Sequence, residues 1–233
     1  MTISRHFTAS AFAALTLFAA GTASAGTVQQ EETFASATAP LKLTNWSVSV
    51  LLPQFDSSLG VLDSVTLTLF GRIEGSARIE NLNQTARDVT ARLQATLKLV
   101  DSITATTLVQ TTPLVSNTFT ASAFDGTDDF GGASGQSFMG LMAEASQSQH
   151  FTDNTTLARF TGPGSVSLQL TARGESLHDS SGDIRNQFRT RATGYATVTY
   201  GYHSVTAVPE PTTWALMLAG LGVVCWLGKR RAA

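Results

Sequence analysis

Residues 65–80, VTLTLFGRIEGSARIE, and residues 89–99, VTARLQATLKL, decide the fold class. In the first stretch Val65, Leu67, Leu69, Gly71, Ile73, Gly75, Ala77 and Ile79 occupy the odd positions. Thr66, Thr68, Arg72, Glu74, Ser76, Arg78 and Glu80 fall between them. In the second, Val89, Ala91, Leu93, Ala95, Leu97 and Leu99 alternate with Thr90, Arg92, Gln94, Thr96 and Lys98. A period of two places alternate side chains on opposite faces of a strand, so each stretch has one face for a core and one for water. The polar break at 81–88 predicts a turn, and the pair is expected to form a hairpin. Gly71 and Gly75 mark an expected bulge or bend.

The same alternation recurs outward from this pair. Trp46, Val48, Val50 and Leu52 precede it, and Val166, Leu168, Leu170 and Ala172 follow. Phe188, Ala192, Gly194, Ala196, Val198, Tyr200 and Tyr202 line one face of a final long strand. No helical stripe appears between the two chain ends. Many one-faced strands, in a chain rich in Thr, Ser, Gly and Val, predict an all-β, antiparallel, jelly-roll-like β-sandwich.

Both ends of the 233-residue chain carry processing signals. At the start, Arg5 is followed by an apolar run over 9–20 and by Ala23-Ser24-Ala25, small residues where signal peptidase cuts. Cleavage is expected before Gly26, because about 12 apolar residues cannot span a bilayer. At the other end Val208-Pro209-Glu210-Pro211 precedes an apolar stretch, 214–227, and then Lys229, Arg230 and Arg231. An apolar stretch backed by a basic cluster reads as a short transmembrane helix with its tail held in the cytoplasm. The expected organisation is a signal peptide over 1–25, an ectodomain over 26–207 and a sorting segment over 208–233.

The terminal segment resembles the PEP-CTERM sorting signal of Gram-negative bacteria. That resemblance implies recognition by exosortase, an integral-membrane transpeptidase, through Pro209, Glu210, Pro211, Lys229, Arg230 and Arg231. It implies export, transient anchoring in the inner membrane and a cell-surface or extracellular destination, in cells that usually make exopolysaccharide. A second resemblance runs through the ectodomain. Leu51-Leu52-Pro53-Gln54-Phe55-Asp56 with Leu59-Gly60, Glu80-Asn81-Leu82-Asn83, Phe124-Asp125-Gly126, Phe130-Gly131-Gly132 and Phe160-Thr161-Gly162 occur in an order similar to the choice-of-anchor type E ectodomains. It implies a surface domain and no particular chemistry.

Charge excludes one class of partner. The formal net charge is -2, and setting aside Arg5, Lys229, Arg230, Arg231 and Glu210 leaves 11 basic and 16 acidic residues, about -5 for the ectodomain. No basic stripe suits nucleic acid. The single cysteine, Cys225, lies in the apolar tail, so the ectodomain has neither disulfides nor a thiol nucleophile.

Three features carry any chemistry the ectodomain has. In residues 124–132, FDGTDDFGG, Asp125, Asp128 and Asp129 offer three carboxylates to a calcium ion. The plainer reading, and the expected one, is a turn capped by Asp side chains with the phenylalanines packed beneath it. His150, His178 and His203 lie among many Ser and Asp, but no G-x-S-x-G elbow appears, and His178 is expected in a solvated polar loop. Trp46, Tyr195, Tyr200 and Tyr202 are candidates for a glycan surface, with Tyr200 and Tyr202 expected in the core. The reading that follows is a non-catalytic, exosortase-sorted surface or matrix protein. The alternative is a glycan-binding or glycan-processing jelly roll.

Overall fold

The computed structural model describes residues 28–204 and, in the tail, residues 217, 219–223 and 228–230. Eleven strands and one helix make up the first segment. β1 (Val28–Ala35), β2 (Ala39–Leu43), β3 (Trp46–Pro53), β4 (Val61–Asn81), β5 (Arg87–Asp101), β6 (Thr107–Thr111), β7 (Leu114–Ala121) and β8 (Gly135–Phe151) come first. Helix α1 (Asn154–Phe160), β9 (Ser165–Gly174), β10 (Leu177–Asp179) and β11 (Ile184–Ser204) follow. All strand pairings are antiparallel.

The pairings are nested. β1 pairs with β11, β3 with β9, β4 with β8, and β5 with β6 and β7. One sheet therefore reads β1-β11-β4-β8 with β2 beside β11, and the other reads β3-β9-β5 with β10, β6 and β7 along β5. This is a long hairpin wound on itself, the strand order of a jelly roll.

That winding corrects the expected hairpin. β4 and β5 are not hydrogen-bonded neighbours; they belong to opposite sheets and face each other across the core. Alternation tells which side chains share a face, and it says nothing about whether the next strand lies beside or across. Leu67, Leu69, Ile73, Leu93, Leu97 and Leu99 meet there, all fully buried. Gly71 and Gly194 are paired neighbours in their sheet, and Leu97 fills the space above them. A Cβ would sit 3.1 Å from Leu97 Cδ1 at Gly71 and 2.9 Å from Leu97 Cδ2 at Gly194. The expected bulge falls between Gly75 and Ala77, where β4 slips against β8. Gly71 instead makes room for the facing leucine.

The strands anticipated around Trp46, Val166 and Phe188 are β3, β9 and β11, with the anticipated faces turned inward. The sequence pattern missed β1, β2, β6, β7, β10 and the long β8, most of whose side chains are exposed. It also missed α1, two turns capped by Asp153, whose Oδ1 accepts from Thr156 N at 2.9 Å. Only Phe160 of this helix is buried, too little for a visible stripe. Among the described residues no helix is long and apolar enough to cross a membrane. Most of the predicted transmembrane stretch, and the whole predicted signal peptide, lie outside the described residues.

Candidate functional site

Two corners, one at each end of β4, gather the segments that resemble the choice-of-anchor pattern. At the first, Phe55 and Phe160 are buried and pack with Tyr200 and Tyr202; Phe55 and Tyr202 have ring centroids 5.0 Å apart. Gln54 ties the corner: its Nε2 donates to Arg159 O and Thr161 O, and its Oε1 accepts from Gly164 N. Tyr200 donates its hydroxyl to Pro53 O at 2.5 Å, and burial pushes its phenol well above the ordinary value. Tyr200 and Tyr202 are core residues, as expected from their inward parity.

At the second corner Asn81 is fully buried. Its Nδ2 donates to Ser122 O at 2.7 Å and Thr85 O at 3.0 Å, and its Oδ1 accepts from the backbone and side-chain N–H groups of Asn83. Asn83 in turn joins Asp183. The acidic glycine loop closes over this corner. Asp125 Oδ1 accepts from Thr127 N at 2.9 Å, Asp129 Oδ1 from Gly131 N at 2.8 Å, and Asp128 pairs with Arg185. Each carboxylate thus has its own partner. Among the described residues no three His, Cys, Asp or Glu side chains are grouped to hold a metal ion. Phe124 is exposed and Phe130 half-buried, so the phenylalanines do not form the floor expected beneath the loop.

Glu80 escaped the sequence reading. Its even position assigns it to the outer, solvated face, yet the loop before β8 covers it completely. Neither carboxylate oxygen has a hydrogen-bond partner within the protein. No residue pattern in β4 signals this, because the cover comes from a loop 50 residues further on.

The histidines stand apart from one another. His203 Nδ1 lies 2.8 Å and 2.9 Å from the two oxygens of Asp63, an oriented His–Asp pair to which no serine hydroxyl is hydrogen-bonded among the described residues. His150 Nδ1 meets Thr66 Oγ1 at 2.9 Å. His178 is not in a solvated loop; it lies in β10, half-buried, its Nδ1 without a partner. The hydrogen bonds of its strand to β5 draw it against the sheet.

The outer face of the first sheet carries the most site-like surface. Phe70 and Tyr195 are directly opposite on β4 and β11, and their rings stack at 4.7 Å and 9°. They sit in a shallow cavity of about 540 Å³ that also includes Arg72, Glu144, Ser146 and Thr38. Arg72 pairs with Glu74 and lies 3.6 Å from Glu144. Of the four candidate aromatics, Tyr195 lines this cavity, and Trp46 lines a second one on the other sheet with Lys98 and Arg173. Trp46 is buried beneath Lys42, whose Nζ lies 5.3 Å from the ring centroid.

The signal-cleavage residues Ala23, Ala25 and Gly26 lie outside the described residues, as do Pro209, Glu210, Pro211 and Arg231 of the sorting segment. Lys229 and Arg230 are described, within a helical stretch.

Comparison with known proteins identifies the tail. Residues 207–231 match the PEP-CTERM protein-sorting motif. The motif implies export, membrane-associated sorting and processing by exosortase. No curated protein sequence matches the chain. A solved structure described as that of infectious bursal disease virus Gx strain aligns with 78% of this chain and 37% of its own, at 12% identity and a TM-score of 0.21. That likeness is too slight to carry an argument.

Proposed function

We propose that this chain is a non-catalytic structural protein of the bacterial surface or extracellular matrix, held within an exopolysaccharide layer after exosortase has processed its tail. The observation that carries the reading is the sorting motif at residues 207–231, joined to a β-sandwich in which Asn81, Asp125 and Asp128 are engaged in holding the fold. Signal peptidase would free Gly26, and the apolar tail segment would anchor the chain in the inner membrane until it is exchanged. The order of the two corner segments supports a choice-of-anchor type E ectodomain, a display module rather than an enzyme.

Fractionation of cells with and without exopolysaccharide tests the association. The protein should stay with the polysaccharide layer in the first and be released to the medium in the second. Equal release from both would refute it.

A second reading has its own observation. The stacked Phe70–Tyr195 pair, flanked by Arg72 and Glu144, is a ring-sized apolar platform with hydrogen-bonding groups at its edge, suited to a sugar ring. A glycan array on the wild type and on Tyr195→Ala tests it: saturable binding lost in the variant would make the protein a lectin-like reader of the layer.

A further inference from the structure

β8 is the outer strand of its sheet, paired on one side with β4 alone. An unpaired edge presents a row of N–H and C=O groups to any strand that fits them, and folded proteins blunt their edges by shortness, proline or charge. The other edges here are blunted. β1 carries Glu31 and Glu32, β2 carries Pro40 and Lys42, β3 ends at Pro53, and β6 and β7 are short pieces separated by Pro113. β8 is blunted least, by one carboxylate and by a bulge confined to its first half. It runs for 17 residues without Pro, Lys or Arg, and Glu144 is its one charge. Beyond Gly140, whose φ is 67°, the segment 141–151 is an unbroken strand, exposed except at the half-buried Leu141, Ala143, Ala145 and Phe151.

We propose that two copies of this chain join through β8, edge to edge and antiparallel, about a two-fold axis at Gln147. Such a contact uses the same strand on both sides and continues the sheet from one copy into the next. The strand's own sequence selects this register. Centring on Gln147 places each Glu144 opposite the second copy's His150 and each Ser146 opposite its Ser148. His150 uses Nδ1 on Thr66, which leaves Nε2 for that carboxylate. Centring on Glu144 instead would set two like charges directly opposite, which is destabilising. Residues opposite one another in the Gln147 register share parity, so the polar outer face of one copy continues into that of the other. The exposed Met142, on that face, lies at the rim of the joint.

The chain itself supplies the remaining support. The side-chain amides of Gln147 and Gln149 donate to the backbone carbonyls of Ser148 and His150 at 3.3 and 3.5 Å, long local bonds that a second strand would replace. For an exported scaffold the consequence is a pairing element separate from the sorting tail.

The test uses the full chain in detergent, in a Cys225→Ser background so that one introduced thiol is the only thiol. Sedimentation should show reversible, concentration-dependent doubling of the protein mass, lost in Ser148→Lys while the far-UV spectrum is unchanged. Gln147→Cys should give a covalent dimer on mild oxidation, because residue 147 lies opposite itself, whereas Glu144→Cys should not. Exchanging the pair as Glu144→His with His150→Glu should restore association that either change alone weakens. A monomer at every concentration, a dimer indifferent to Ser148→Lys, or cross-linking through position 144 rather than 147 would overturn the proposal.

Discussion

At the start of β4 the sandwich is closed by rings: Phe34, Phe55, Phe160, Tyr200 and Tyr202 pack around one another. At its end the same closure is made by amides, with Asn81 and Asn83 linking four segments through hydrogen bonds. The two means of closure differ in what they tolerate. Apolar burial is non-directional and scales with area, so loss of one ring costs what its volume contributed. A buried polar network depends on every partner being satisfied, and removing one member orphans the rest.

The largest break should come from the ring corner. Phe160→Ala is expected to cost about 3–5 kcal/mol through loss of burial and the cavity left behind. For a domain of this size that lowers the melting temperature by roughly 10 °C, readable by denaturant titration and calorimetry. At the amide corner Asn81→Ala should cost about 2–3 kcal/mol, because the carbonyls of Ser122 and Thr85 lose their donor inside the protein. The unfolding slope should be unchanged if only the native state is affected. An Asn81→Ala loss larger than that of Phe160→Ala would reverse the comparison.

Glu80 sharpens it from the other side. A buried carboxylate without a partner opposes folding, and an amide costs less to bury. Glu80→Gln should therefore raise stability by about 1 kcal/mol, seen as a higher denaturant midpoint at neutral pH. A loss of stability would mean that this carboxylate has a partner.

The smallest effect is expected in acid. Burial pushes the Asp101 carboxyl up, but the N–H groups of Ile103 and Thr104 and the Arg159 guanidinium outweigh it and hold it below the ordinary 3.8. N–H and hydroxyl donors at Ser58 and Thr156 hold Asp56 and Asp153 down as well. Depressed carboxylates stabilise the native state above their ordinary value and lose that contribution as pH falls through the folded value. Stability should decline from about pH 4 downward, and Asp101→Asn should flatten that decline.

The two tyrosines of the ring corner were legible in the sequence; its phenylalanines and the amide corner were not. Tyr200 and Tyr202 stand at inward parity on a strand whose alternation is unbroken, so their burial follows from period two alone. Asn81, by contrast, sits in a polar stretch that any reading assigns to a turn. Its burial comes from the loop before β8 and the start of β11, segments brought in by the winding. The same cause hid Glu80 and turned the expected hairpin into two facing strands. β8 was missed because an edge strand has no second sheet to demand an apolar face along its whole length, and Gln147 and Gln149 occupy positions that Leu or Val would fill in a central strand. The sorting tail was legible because a processing enzyme reads it as linear sequence, and its meaning does not depend on the fold.

Sorting by exosortase is tested most directly by intact-mass and terminal-peptide analysis of the protein recovered from cells with and without an active exosortase. An N-terminus at Gly26 is expected in both, and loss of the tail beyond the Pro209-Glu210-Pro211 region only where exosortase is active. A tail that stays intact through Ala233 in exosortase-competent cells would contradict that sorting.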